Sequence, residues 1–185
     1  MVAMETPICN FGWKAPDFEL LGVDGERHRL ADLKGEKGTL VMFICQHCPY
    51  VKTVLDRIIR DARELQEHGI ASVAIMPNDP TVYPEDSFEN MQRVAREYDF
   101  PFSYLYDETQ GVARAYDAVC TPDFFGFNAD LELQYRGRLD ASKTTLVPDA
   151  RRELFGAMVQ VARTGQGPAD QIASMGCSIK WRQAA

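Results

Sequence analysis

The sequence predicts an α/β fold: a central mixed sheet with an N-terminal hairpin and flanking helices. Three observations carry this prediction. Thr39–Ile44 and Ala71–Met76 are apolar runs of strand length, as expected for strands covered on both faces. Each precedes a stretch with 3.6-residue apolar periodicity, the pattern of a βαβ unit. Two further strand-like segments, Asp123–Phe127 and Leu131–Arg136, close the series as an antiparallel hairpin.

Taken in order, residues 17–30 (DFELLGVDGERHRL) form a hairpin around the turn signal Asp24-Gly25. Ala31 to Gly35 is a short helical turn before the strand Thr39–Ile44. Pro49 then suits the first turn of a helix, where its missing N–H costs nothing. Val51, Val54, Leu55, Ile58, Ile59, Ala62 and Leu65 fall on one face of that helix, and Gly69 ends it. After Ala71–Met76, the polar loop PNDPTVYPEDS leads to a helix from about Pro84 to Tyr98. Asp86 and Glu89 have the spacing of a capping box there, with Phe88, Met91, Ala95 and Tyr98 facing inward. A strand at Phe102–Tyr106 and a short helix at Gln110–Tyr116 follow. Asn128-Ala129-Asp130 joins the closing strands, and the alternation of Leu131, Leu133 and Tyr135 leaves one face of the last strand less buried. Asp149–Arg163 is a final helix on Leu154, Phe155, Met158 and Ala162. With no repeat, linker or low-complexity tract, a single domain over 1–185 is expected, with residues 1–16 an N-terminal extension and 164–185 a C-terminal tail.

Composition narrows the function. Apolar content of 45% and charged content of 25% are ordinary for a globular chain. A net charge of −7 argues against nucleic acid or an anionic membrane as partner. The first twenty residues lack the apolar core of a signal peptide, and no 18-residue apolar stretch occurs. Five cysteines, at Cys9, Cys45, Cys48, Cys120 and Cys177, are an odd and sparse set, so a reducing, cytoplasmic compartment is expected.

Within that compartment the pair Cys45-Gln46-His47-Cys48 reads as redox or metal chemistry rather than a structural bridge. The pair lies where an apolar strand hands over to a helix. A helix N-terminus offers unpaired N–H groups and a partial positive charge, which lower a nearby thiol's pKa. Cys45 is therefore expected at or beside the helix start as an accessible thiolate, with His47 adding charge when protonated. A zinc site needs more ligands than the chain's motifs supply, so no metal is expected, and without a nucleotide or flavin motif no bound cofactor. Cys120, just before Thr121-Pro122, is expected near the active pair, as a packing residue or an accessory thiol, and Cys9 is incidental. Cys177, in the Gly176-Cys177-Ser178 turn, is a third thiol if the tail folds back to the active edge. Asn78, Asp79 and Tyr83 leave the same sheet edge as the CxxC pair, as wall residues or helix caps. Lys180 and Trp181 anchor the tail.

The blocks GWKAPDFEL, FICQHCPYVK, NDPTVYPEDSFENM, VCTPDFFGFN, YRGRLD and GCSIKW span almost the whole chain. On these the sequence resembles the thioredoxin-like proteins of the AhpC/TSA redoxin group, which implies a thioredoxin-like fold. The resemblance implies Cys45 as exposed nucleophile and Cys48 as resolving thiol. It also implies a cis-proline at Pro122, and at Thr121 a backbone that pairs with a bound substrate peptide. Two positions depart from the thioredoxins of that fold: Thr39 stands where they keep a buried acid, and Ile44 where they carry Trp. Asp79, Glu85 and Asp107 are candidates for the missing acid. The peroxiredoxin pattern Pro-x-x-x-Thr/Ser-x-x-Cys fits neither thiol, since Gly38 and Met42 precede Cys45 in those places and Val41 and Cys45 precede Cys48.

The expected function is thus a thiol–disulfide oxidoreductase. Its substrate is a disulfide-bearing protein or small molecule, and an external dithiol or reductase is its electron donor. The alternatives are a peroxiredoxin-like, antioxidant thiol peroxidase, and a non-catalytic redox-sensing or metal-binding module.

Overall fold

The computed structural model describes residues 2–183, so residue 1 of the expected extension and 184–185 of the expected tail lie outside the described residues. The apolar run after Lys37 becomes β4 (Gly38–Phe43), buried along its whole length. It pairs in parallel with β5 (Ile70–Met76) and antiparallel with β8 (Asp123–Asn128). β6 (Ser103–Tyr106) extends the parallel part. The hairpin β2 (Glu19–Gly22) and β3 (Arg27–Arg29) covers one edge, and β9 (Leu133–Tyr135) lies at the other. The seven-stranded order is β3-β2-β6-β5-β4-β8-β9.

The two faces of β4 divide the core because side chains alternate along a strand. Leu40 and Met42 pack under three helices: α2 (Pro49–Glu67), α3 (Phe88–Glu97) and α5 (Glu153–Thr164). Val41 and Phe43 pack on the opposite side with Leu30 of α1 (Leu30–Leu33) and Ala113 of α4 (Gly111–Ala115), around Tyr116. Pro49 occupies the first turn of α2, and Gly69 (φ 78°) turns the chain out of it.

Four details differ from the sequence reading. First, the helix expected from Pro84 is interrupted: a 3-10 turn at Pro84–Asp86 precedes α3, and Ser87 rather than Asp86 caps it, accepting the Asn90 N–H at 3.3 Å. Second, the last helix starts at Glu153, because Asp149 takes a left-handed φ of 52° that a helix cannot use. Third, β9 is buried on both faces. Residues 166–171 lie over it, with the Gly167 N–H and the Gln171 amide bonded to Gln134.

Fourth, the extension and tail are not loose. β1 (Ala3–Glu5), β10 (Met175–Ser178) and β7 (Cys120–Thr121) form a second, three-stranded antiparallel sheet. Strands of two to four residues carry too little alternation to be read from sequence. The Thr6 N–H donates to the Ser174 carbonyl at 2.9 Å, and the Ser174 N–H returns to Thr6 Oγ1 at 3.1 Å, closing the end of this sheet.

Gly176 sets how closely β10 approaches β7. A Cβ there would sit 2.1 Å from the Thr121 carbonyl oxygen, which is backbone and cannot turn aside. Gly176→Ala should therefore push β10 outward, costing about 1–3 kcal/mol. Hydrogen exchange at the Cys177 and Ser178 amides should accelerate. Wild-type protection at those amides would show that the close approach does not hold the strand.

Candidate active site

β4 delivers its last residues to the start of α2. The Ile44 N–H donates to the Ile75 carbonyl (3.0 Å), keeping the chain in sheet register one residue beyond β4. Cys45, Gln46 and His47 then make the bend, and Cys48 is the residue that precedes the first turn of α2. All five cysteines are thiols rather than disulfides.

One carboxylate organises the bend. Asp86, fully buried, accepts the backbone N–H groups of Gln46 (2.8 Å) and His47 (3.1 Å) on Oδ1. Its Oδ2 lies 2.5 Å from His47 Nδ1 and accepts the Asn78 amide at 2.9 Å. Tyr83 stacks on the His47 ring, centroids 3.9 Å apart and planes nearly parallel. Asn78 Oδ1 in turn accepts the Lys180 N–H (2.9 Å), tying the tail to the same network. Burial alone would raise the Asp86 carboxyl, but His47, Asn78 and the Gln46 N–H hold it below the usual carboxylate range.

The sulfurs sit under this network. Cys45 Sγ lies 3.2 Å from Thr121 Oγ1 and 3.5 Å from His47 Nδ1. Cys48 Sγ lies 3.0 Å from the Thr121 carbonyl, and the Thr121–Pro122 peptide is cis. Both thiols thus converge on Thr121, and each acts on the other's ionisation. An open cleft of about 340 Å³ between α2 and α3 reaches Cys45. Its floor is apolar, with Val51, Leu55, Val94 and Phe100, and its rim carries Lys52 and Arg93. Cys48 does not line it.

Residues 11–141 match the family model of the AhpC/TSA family. The chain belongs to that family. Among solved structures it is similar to an uncharacterized conserved protein from Geobacillus kaustophilus, with 46% identity, a TM-score of 0.94, and 100% of this chain and 99% of that one covered. It is also similar to a hypothetical protein from Sinorhizobium meliloti 1021, with 33% identity and a TM-score of 0.91, covering 97% and 98% of the two chains. The peroxidoxin BcpB of Mycobacterium tuberculosis shares the fold at 16% identity, a TM-score of 0.63, and 85% and 97% coverage. No curated relative matches the chain. The fold is thioredoxin-like.

In this AhpC/TSA protein several expected roles change hands. Cys45 is not the helix-start thiolate. It lies three residues upstream of the cap position, only 2% exposed, and its thiol is pushed well up by burial, by its Cys48 neighbour and by the Asp86 charge. The anion of the pair rests on Cys48, pulled down to about 5 by the Cys45 thiol against the opposing effect of burial, with help from the Cys177 thiol and nearby backbone N–H groups. The Thr121 carbonyl favours the protonated Cys48 and opposes this ionisation. His47 does not bring uncompensated positive charge to Cys45, because its Nδ1 is already bonded to Asp86.

The buried carboxylate that reaches the CxxC bend is Asp86. Of the candidates named from sequence, Asp79 closes a turn onto Thr81, Asp107 accepts the Ala113 N–H of α4, and Glu85 lines the cleft. Sequence reading missed Asp86 because the adjacent Ser87 competes for the cap and a helix-start acid is the commoner use. Tyr83, expected with Asn78 and Asp79 on the loop walling the site, lies there against the His47 ring. Thr39 is buried and accepts the Gly35 N–H at 3.1 Å, a structural role. Cys120 is buried against the Pro122 carbonyl, and burial raises its thiol. Thr121's backbone faces the chain's own β10, with Cys177 opposite it, where a substrate strand was expected. Lys180 does anchor the tail, its carbonyl accepting the Asp79 N–H, and Trp181 packs under Arg114 at 4.3 Å.

Cys45 Sγ, His47 Nδ1 and an Asp86 oxygen lie within 4.8 Å of one another, a set that could hold a metal. The nitrogen and oxygen stand 2.5 Å apart, at hydrogen-bonding distance. Two ligands of one tetrahedral zinc, each about 2.0 Å from it, stand about 3.3 Å apart.

Asp86→Asn replaces the acceptor of four convergent donors with an amide, and should destabilise the reduced protein by about 3 kcal/mol at pH 7. Because the folded carboxyl lies below its ordinary value, near 3.9 for an unfolded chain, its stabilisation is complete above that value. It is lost as pH falls through the lower folded value. Urea unfolding at pH 7 and pH 3 should show a smaller acid loss in Asp86→Asn than in wild type; equal losses would remove Asp86 from this role.

Proposed function

We propose that this AhpC/TSA protein is a thiol–disulfide oxidoreductase in which Cys45 and Cys48 exchange with the disulfide of a substrate. The observation that carries this reading is a division of labour within one thiol pair: Cys45 borders an open cleft, and the enclosed Cys48 holds the charge. In the first step Cys45 passes its proton to Cys48 and attacks a substrate sulfur. A Cys45–substrate bond forms, the substrate S–S bond breaks, and the released thiolate takes the proton from Cys48. In the second step Cys48, as thiolate, attacks the Cys45 sulfur, forms the Cys45–Cys48 disulfide and releases the second substrate thiolate. Two electrons have left the protein, and an external dithiol or reductase restores it.

The Thr121 hydroxyl, 3.2 Å from Cys45, can stabilise the Cys45 thiolate as it forms. The cleft volume of about 340 Å³ is at the lower end for a small-molecule pocket. It suits a small disulfide, or a single disulfide loop of a protein inserted between α2 and α3. The sparse, odd set of cysteines supports a reducing, cytoplasmic setting. No helix among the described residues is long and apolar enough to cross a membrane.

The same Thr121 hydroxyl favours a second reading, thiol peroxidase, because a hydroxyl beside a sulfur can also hold a peroxide oxygen. Rapid single-turnover sulfenic acid at Cys45 on mixing with hydrogen peroxide would select it.

Cys48→Ser, given glutathione disulfide, should accumulate a mixed disulfide at Cys45, located by peptide mass spectrometry; adducts confined to other cysteines would sink the exchange reading. Thiolate absorbance of the reduced wild type should show one group ionising near pH 5 and the second well above pH 9. The depressed Cys48 value stabilises the reduced fold at and above the ordinary thiol range, and that contribution is lost as pH falls through about 5. Cys45→Ala removes the thiol that lowers Cys48, so the step near 5 should move upward. An unmoved step would show that the cause lies elsewhere.

A further inference from the structure

Cys48 has a second thiol neighbour. β10 runs antiparallel to β7 with Cys177 opposite Thr121, whose carbonyl lies 3.0 Å from Cys48 Sγ, and the two thiols act on each other's ionisation. Cys45, Cys48 and Cys177 are all buried in one core cluster. Cys48 therefore stands between two thiols, one from the bend before α2 and one from the tail. This approach is enforced by its surroundings. Gly176 admits β10 against the Thr121 carbonyl, Thr6 and Ser174 close one end of the strand, and Asn78 holds Lys180 just beyond the other.

We propose that Cys177 is a third redox thiol, which takes Cys48 out of the Cys45–Cys48 disulfide and returns Cys45 to the thiol form. The proposal rests on the exchange reading above for the origin of the first disulfide. The Cys177 sulfur attacks the Cys48 sulfur, the Cys45–Cys48 bond breaks, and a Cys48–Cys177 bond forms. The proton of Cys177 ends on Cys45. One thiol and one disulfide are present before and after, so the step is an isomerisation that needs no further oxidant or reductant.

The surroundings favour each part of it. The Thr121 hydroxyl, 3.2 Å from the Cys45 sulfur, can receive that sulfur as the leaving group. In the reduced protein burial, the Cys48 neighbour and its charge hold the Cys177 thiol up at about 12. Forming the Cys45–Cys48 disulfide removes that charge, while Lys180 continues to favour the Cys177 thiolate. The result is an oxidised protein whose cleft again presents a thiol, able to take a second substrate disulfide while the first pair of electrons remains spent. The new bridge also staples the tail strand to the start of α2.

The test uses the full chain. Reduced protein receives one equivalent of diamide, is quenched in acid, unfolded and alkylated, and its bridged peptides are read by mass spectrometry. Wild type should contain a Cys48–Cys177 bridge together with alkylated Cys45. Cys45→Ser should form Cys48–Cys177 directly, and in Cys177→Ser alkylated Cys45 among oxidised molecules should fall to background. Wild type that holds Cys45–Cys48 alone, with Cys177 alkylated throughout, overturns the relay and leaves the exchange reading standing. A Cys177→Ser protein that never forms Cys45–Cys48 overturns the exchange reading, and the relay with it.

Discussion

A buried carboxylate is costly unless nearly every lone pair has a donor. Asp86 meets that condition with four donors drawn from the bend after β4 and the loop after β5. Through Asn78 it also reaches the tail. Few other points in the molecule join so many separate stretches of chain. Such a network is cooperative: each donor holds the carboxylate in place for the others, and the bend carrying Cys45 has little freedom to drift.

The thiol pair is divided mainly by burial. Burial disfavours a negative charge on Cys45, and its Cys48 neighbour and the Asp86 charge add to the effect. Cys48 sits farther along, at the start of α2, and takes the anion. Accessibility runs the other way, since only Cys45 borders the cleft. The sulfur that can meet a substrate is therefore protonated at rest, and the charged one is shielded.

The tail completes the site. β10 lies between β1 and β7, so residues near both chain ends build the surface beneath Cys48. A single glycine allows it, because any side chain at Gly176 would collide with the Thr121 carbonyl. Thr121 is consequently engaged on three sides: its hydroxyl with Cys45, its carbonyl with Cys48, and its strand with β10.

Much of this was legible in the residues. The apolar runs of β4 and β5, the α2 face from Val51 to Leu65, Pro49 at a helix start and the turn at Gly25 are local signals, set by periodicity and backbone sterics, and a linear reading recovers them. The CxxC pair and its place at a strand-to-helix junction were equally local. The identity of the buried acid, the ownership of the anion and the return of Cys177 were decided by tertiary structure. Asp86 lies about forty positions from His47, and Cys177 well over a hundred from Cys48. Short strands such as β7 and β10 gain their stability from partners distant in sequence rather than from their own pattern. Charge and burial are sums over everything nearby in space, so a chain read in order names the sulfurs but only the fold assigns their proton.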